Sequence, residues 1–307
     1  MQWHIDEFFF FRGFVWAHGW ISREQPLRKL LAILPQGETR VFSGSLSMPS
    51  ADVEASLGES GKQSRFYCHI AVPDSTEAMN MRIIAEADSG EQTELENFRS
   101  TLLTTDPYHH LQATFFSMLS HQTGRVLELG SRNRSGTVRK GLVPSHLEYV
   151  GLDILSGDNV DVVGDAHELS HIFPLESFDA VFATSVFEHL MMPWKVVIEL
   201  NRVLKRGGLV MLTSHQSWPL HETPWDYWRF SDQGWRALFN AVTGFEILET
   251  ALGERCSIVP RVLHPPTLDL DLQPAFCGSA VLCHKIANTN LQWDVGIRDL
   301  INTTYPA

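Results

Sequence analysis

The chain has 307 residues, enough for two domains, and its 44% hydrophobic and 20% charged content is that of a globular protein. No apolar run approaches the roughly 18 residues that a membrane-spanning helix needs, and the start MQWHIDE lacks the basic segment and cleavage site of a secretory signal. A net charge of −12 with no evident basic patch argues against a nucleic-acid partner, because such binding needs cations to displace counterions.

Residues 1–100 read as β structure. EFFFFRGFVWAHGWI is aromatic and β-branched, and KLLAILPQGETRVFSG reads as two strands about a Pro-Gln-Gly turn. RFYCHIAVP and MRIIAEADSGEQTELENF add more strands, the last pair turning at Asp88, Ser89 and Gly90. Short strands separated by turns predict a small all-β, sandwich-like domain. Its aromatics Trp3, Trp16, Trp20, Phe66 and Tyr67 are assigned to core packing, with stacking on a sugar as the alternative. Nothing here looks catalytic. Four widely spaced cysteines (Cys68, Cys256, Cys277, Cys283) form no CxxC pair and read as reduced thiols of a cytoplasmic protein, without a disulfide framework or zinc site.

The period changes between residues 100 and 108, so the second domain is taken as residues 101–307. DPYHHLQATFFSML is helical, with Pro107 near its start. Strands and helices then alternate: RVLELG, a helix after Gly136, EYVGLDI, VDVVGDA, FDAVFATS, the helix PWKVVIELNRVLKRGG, LVMLTS, the helix SDQGWRALFNAV and the strand FEILETAL. Near-continuous apolar strands between helices predict an α/β, Rossmann-like parallel sheet covered on both faces. Ligands of such sheets bind at the carboxyl ends of the strands.

Three acids fall at such ends. Glu128 and Gly130 close the first strand in VLELGSRNRSG, residues 126–136; Asp153 closes the second, and Asp165 follows the third in VVGDAHEL. Asp153 stands at about the spacing, roughly 20 residues, at which a ribose-binding carboxylate is expected. Asp165 could accept a proton from an adenine amino group. A dinucleotide would want three close glycines for its pyrophosphate. The bulkier GSRNRSG loop suits a cofactor without one, such as S-adenosylmethionine, whose amino and carboxylate groups need polar partners. The side chains of Arg132 and Arg134 read equally well as solvated or as salt bridges to the acidic surface.

The segment from about residue 111 to 286 resembles class I S-adenosylmethionine-dependent methyltransferases of the type 11 subgroup. The matching pieces are VLELGSRNRSG, YVGLDI, VVGDAHEL, FDAVFATSVFEHLMMPWKVVIELNRVLKRGGLVMLTS and TGFEILE. The resemblance implies a seven-stranded, mostly parallel sheet with one antiparallel strand. It implies that Glu128 and Gly130 shape the cofactor loop, Asp153 holds the ribose, and Asp165 with Ala166 reads the adenine; Ser131, Arg132, Ile154 and Ser185 are assigned to the cofactor beside them. The departure is at Arg132 and Arg134, where the family's second and third glycines fall. The first domain also bears a diffuse likeness, through GFVWAHGWI and DVEASLG, to accessory β-domains of bacterial glycan-modifying proteins.

The segment SHQSWPLHETPWDYWRFSDQGW, residues 214–235, carries four tryptophans, two histidines, three acids and an arginine. Trp218, Trp225, Tyr227, Trp228 and Arg229 are assigned to an acceptor, most simply a sugar whose C–H faces stack on rings. For the base that removes a hydroxyl proton, His189 in SVFEHL ranks first, then His221 and His215, with Asp226 orienting either. His189, His215, Glu222 and Asp226 offer metal-ligand atoms, but no ligand spacing, so no metal is expected. The leading reading is an O-methyltransferase acting on a glycan or sugar-containing precursor. A quinone or phenol methyltransferase and a non-catalytic scaffold with a degenerate fold are the alternatives. Self-association is left open.

Overall fold

The computed structural model describes residues 1–24, 27–134, 136–262, 264–268, 270 and 273–300. The chain divides into two compact units, Met1–Thr105 and Asp106–Ala307.

The first unit holds β1 (Gln2–Phe11), β2 (Phe14–Ser22), β3 (Leu27–Ile33), β4 (Thr39–Val41), β5 (Ser43–Met48), α1 (Ala51–Leu57), β6 (Arg65–Ala71), α2 (Ser75–Asn80), β7 (Arg82–Ala87), β8 (Gln92–Glu94) and α3 (Phe98–Thr105). Two four-stranded antiparallel sheets, β1-β2-β6-β5 and β4-β3-β7-β8, share one core. The period of two sorts each strand: Val15, Ala17 and Ile21 of β2 and Phe66, Cys68 and Ile70 of β6 point into that core. The aromatics therefore divide. Phe66 is fully buried and Trp3 packs against the core. Trp16 and Trp20 alternate with the core residues, and Tyr67 is 52% exposed, which corrects the core assignment for these three. Outside the core, Trp16 lies 4.8 Å from His69, Tyr67 4.2 Å from His18, and Phe9 6.5 Å from Trp16 between ring centroids, so the outer face of β1-β2-β6 is a sheet of rings.

The second unit holds α4 (Pro107–Leu119), β9 (Arg125–Leu129), β10 (Glu148–Asp153), β11 (Val162–Val163), α5 (Leu169–Ile172), β12 (Phe178–Thr184), α6 (Pro193–Val203), β13 (Leu204–His215), α7 (Asp232–Leu238), β14 (Phe245–Cys256) and β15 (Ala275–Lys285). One seven-stranded sheet runs β11-β10-β9-β12-β13-β15-β14, parallel except for β15, which is antiparallel to both neighbours. Both faces are covered. Leu127, Val181, Val210 and Val281 face Val196, Leu200 and Trp235. Val126, Phe182, Met211 and Leu282 face Leu111, Phe115 and Leu119 of α4. Burial on both sides is why these strands read as unbroken apolar runs. No described helix is long and apolar enough to cross a membrane.

The start of α4 follows local rules: Asp106 accepts from the N–H groups of Tyr108 and His109, and Pro107 occupies the first helical position. The end of α6 uses a distant residue instead. Lys285 of β15 is 1% exposed, and its Nζ donates to the carbonyls of Asn201 (2.6 Å) and Leu204 (2.7 Å). A cation there satisfies carbonyls that the helix leaves open and sits at the negative end of its dipole. Lys285→Met should therefore cost the second unit about 2 kcal/mol, since two charge-assisted bonds go but so does a buried charge. Urea unfolding reads this out, and an unchanged midpoint would refute it.

The helix expected after Gly136 does not form. Among the described residues from 136 to 147 there is one 3₁₀ turn, Lys140–Leu142. Gly141 and Pro144 interrupt the stretch, and a proline restricts the residue before it to extended backbone. The glycine-bearing loop is consequently not followed by a helix N-terminus that could lend it positive potential.

Candidate functional site

The parallel order reverses direction at β9, with β10 and β11 on one side and β12 and β13 on the other, and the loops diverge there. A cavity of about 770 Å³ opens at the carboxyl ends of these strands, lined by Gly130, Arg132 and Arg134 after β9 and by Asp153 and Ile154 after β10. Asp165, Ala166 and His167 after β11, and Ser185, Val186 and His189 after β12, complete that side. This is the size of a site for a molecule of nucleoside dimensions.

Gly130 has φ +70°, and a Cβ on it would lie 2.3 Å from Val186 Cγ2, so both backbone conformation and space require glycine. The N–H groups of Gly130 and Ser131 donate to Leu152 O at 2.8 and 3.1 Å, which seats the loop on the end of β10. Glu128 and Ser131 were expected on the cofactor, yet neither lines the cavity. Glu128 is buried and accepts from the Tyr149 hydroxyl; Asn159 Nδ2 donates to that hydroxyl and to Ser131 O, both at 2.9 Å. Glu128 is thus the anchor of a chain of bonds that supports the loop from behind, and burial pushes its carboxyl above the ordinary range.

Asp153 accepts at Oδ2 from the Arg132 N–H (3.3 Å) and at Oδ1 from the Leu155 N–H (3.0 Å). The Arg132 side chain folds back, its Nε 3.6 Å from Asp153 Oδ1, which orients the carboxylate instead of extending into solvent. A carboxylate has about four lone-pair sites, so two remain for hydroxyl donors. Asp165 accepts at Oδ1 from the backbone N–H (2.9 Å) and Nδ1 (2.6 Å) of His167. The Met192 N–H donates to His167 Nε2 at 3.3 Å, which fixes the tautomer with its proton toward Asp165. Burial works against ionising Asp165, but the His167 bonds outweigh it and hold the carboxyl below its ordinary value. His167 was not foreseen; its place beside Asp165 in GDAHEL was the available signal.

The segment after β13 folds over the other side of the cavity. Trp225, Tyr227 and His189 line it; Trp218, Trp228, Arg229, His215, His221 and Asp226 do not. Trp228 and Arg229, expected on the acceptor, serve the lid itself. Trp228 Nε1 donates to Leu190 O at 2.8 Å and its ring packs on the core. Arg229 pairs with Asp226 at 2.6 and 2.8 Å and donates to the carbonyls of Trp218 and Pro219. That Arg229 pair, opposed by burial, holds the Asp226 carboxyl far below its usual range. Trp218 stacks on His215 with centroids 4.7 Å apart. Arg134 reaches Glu222 at 2.8 Å, a partly exposed pair that links the loop after β9 to the segment after β13 only weakly.

The three histidines gather around a residue that the sequence reading passed over. Glu188 is 0% exposed, its Oε2 accepting from Ser214 Oγ at 2.6 Å and its Oε1 3.2 Å from His215 Nε2 and 3.9 Å from His189 Nε2. Burial pushes this carboxyl up, against the pull of Ser214. Burial and the neighbouring His221 press His215 down to about 4, so its imidazole is neutral at pH 7. His189 Nδ1 donates to Trp225 O at 2.8 Å, which leaves Nε2 as the proton-accepting nitrogen. Glu188 sits in the same FEH run that drew attention to His189. The cavity is also lined by Gly296, Ile297 and Arg298, brought there by a segment that docks on α6 about 100 residues earlier in the chain: Lys195 Nζ donates to Val295 O at 2.8 Å, and Trp293 packs edge-on to Trp194 at 5.6 Å.

Residues 135–212 match the methyltransferase domain family of type 11. Among solved structures, the YcgJ protein of Bacillus subtilis is similar at 19% identity over 58% of this chain and 99% of its own, with a TM-score of 0.42. A putative methyltransferase in complex with the Trm112 methyltransferase activator of Haloferax volcanii is 17% identical over 59% of this chain and 91% of its own (TM-score 0.41). A SAM dependent methyltransferase of Archaeoglobus fulgidus is 16% identical over 57% and 94% (TM-score 0.41). No curated protein matches the chain.

Proposed function

We propose that this chain, whose C-terminal unit is a class I S-adenosylmethionine-dependent methyltransferase domain, methylates a hydroxyl oxygen of a glycan or sugar-containing precursor. The observation that carries the reading is one cavity with two chemistries: Asp153 and Asp165 on one wall, His189, Trp225 and Tyr227 on the other. The first wall fits the cofactor. Gly130 leaves room for backbone approach, Asp153 has acceptor sites for two ribose hydroxyls, and ionised Asp165 accepts from an amino group. When bound, S-adenosylmethionine supplies a methyl group already activated on a sulfonium.

The second wall has the work of alignment, water exclusion and proton removal. Trp225 and Tyr227 close the cavity with rings suited to the C–H face of a sugar. In this reading His189 Nε2 accepts the hydroxyl proton, and the bond from its Nδ1 to the Trp225 carbonyl supports the role by fixing the ring. A sugar hydroxyl is a weak nucleophile and benefits from such a base more than a nitrogen or thiolate would. The ring-bearing outer face of β1-β2-β6 in the first unit, with Trp16, His18, Tyr67 and His69, is a second place where sugar rings could stack, which supports a polymeric acceptor.

Incubation with methyl-labelled S-adenosylmethionine and parallel panels of sugar nucleotides, oligosaccharides and phenols tests the substrate class. Label should enter the sugar panel as an alkali-stable ether. Label in phenols alone would replace this reading with that of a quinone or phenol methyltransferase.

A further inference from the structure

We propose that Glu188, His215 and His221 form a site for one divalent transition ion, zinc by ligand type, which clamps the lid segment onto the sheet. This goes beyond the methyl-transfer reading and does not depend on it. One ligand atom from each of the three residues falls in a group within 4.8 Å. Glu188 Oε1 and His215 Nε2 are 3.2 Å apart, and two ligands each about 2.0–2.2 Å from a tetrahedral ion are themselves about 3.3 Å apart. The pair already stands at coordination spacing.

A second observation points the same way. Glu188 is completely buried, and among the described residues its Oε1 receives no hydrogen bond. A buried carboxylate oxygen without a donor is costly, and a cation removes that cost. The surroundings are those of a supported ligand set. Ser214 Oγ donates to the other carboxylate oxygen at 2.6 Å. The His221 ring lies with Nδ1 3.2 Å from Asp226 Oδ2, and Asp226 is in turn held by Arg229. His189, His221 and Asp226 form an overlapping group, but Asp226 is already committed to the Arg229 guanidinium on both oxygens. Asp226 therefore orients His221, and Glu188 is the carboxylate ligand.

Two imidazoles and one carboxylate favour zinc over magnesium or calcium, which take oxygen ligands, and leave a fourth position open. Glu188 follows β12, His215 ends β13, and His221 belongs to the lid, so an ion held by all three ties the lid to two strand ends. The backbone N–H groups of Tyr227 and Trp228, which bond Glu188 O at 2.8 and 3.2 Å, would be locked with it.

The full-length protein, stripped with a chelator and confirmed folded by circular dichroism, should take up one Zn²⁺ per chain in calorimetric titration and melt at a higher temperature with it. Co²⁺ in its place should give the visible bands of tetrahedral coordination. His221→Ala, on the partly exposed lid, and the near-isosteric Glu188→Gln should each weaken zinc binding by about a hundredfold while remaining folded. No zinc uptake by the folded protein, preference for Mg²⁺, or uptake undiminished in both variants overturns the proposal. Titrating S-adenosylmethionine into the same samples keeps the two readings apart, because cofactor binding without zinc binding sinks only this one, and zinc binding without any methyl acceptor sinks only the other.

Discussion

Asp153→Ala should weaken S-adenosylmethionine binding by about a hundredfold to a thousandfold. Two ribose hydroxyls donating to a carboxylate each contribute about 1.5–3 kcal/mol, and about 1.4 kcal/mol is tenfold in affinity. The loop adds to the loss, because Asp153 also accepts from the N–H groups of Arg132 and Leu155. Asp153→Asn keeps the shape and an acceptor oxygen but not the charge, and about a tenfold loss is expected of it. Calorimetric titration of both variants against the unsubstituted protein measures this, with thermal melts to show that the fold persists. Binding unchanged in Asp153→Ala would mean that the cofactor does not use the end of β10. Failure of the unsubstituted, folded protein to bind would make the GSRNRSG loop a lapsed one and the scaffold reading the better account.

His189→Ala should lower turnover by about a hundredfold to ten-thousandfold, the range for loss of a positioned base, with the cofactor Kd within about twofold of the original. The separation follows from the geometry. His189 lines the wall proposed for the acceptor, while Asp153 and Asp165 opposite take their support from Arg132, Leu155 and His167. Its Nδ1 bond to Trp225 O ties His189 to the lid backbone, so the melting temperature is the control. A parallel fall in turnover, cofactor affinity and melting temperature would assign His189 a structural role.

Much of this site could be read before any coordinates. Strand-end positions of Gly130, Asp153 and Asp165 follow from local pattern: a β-strand ends where its apolar run ends, and a parallel sheet puts all such ends on one edge. The antiparallel β15 and the covering of both faces came with the family resemblance and the apolar runs. The helix after Gly136 was misjudged because a glycine and a proline in a short connection outweigh the strand-and-helix alternation. Among the aromatics of the first unit, composition says that rings are abundant, while their side of the strand depends on register. Phe66 and Tyr67 are neighbours in sequence and face opposite ways.

The sequence by itself determined the strand-and-helix alternation and the strand-end places of Gly130, Asp153 and Asp165, because each depends on neighbours within a few residues. Tertiary structure alone decided which polar groups are buried together. Glu188 among His189, His215 and His221, Lys285 at the end of α6, and Arg298 in the cavity lining join parts of the chain that lie up to about 170 residues apart. The loops meet there because the sheet order places the ends of β12 and β13 side by side, and no periodicity in the chain encodes that proximity.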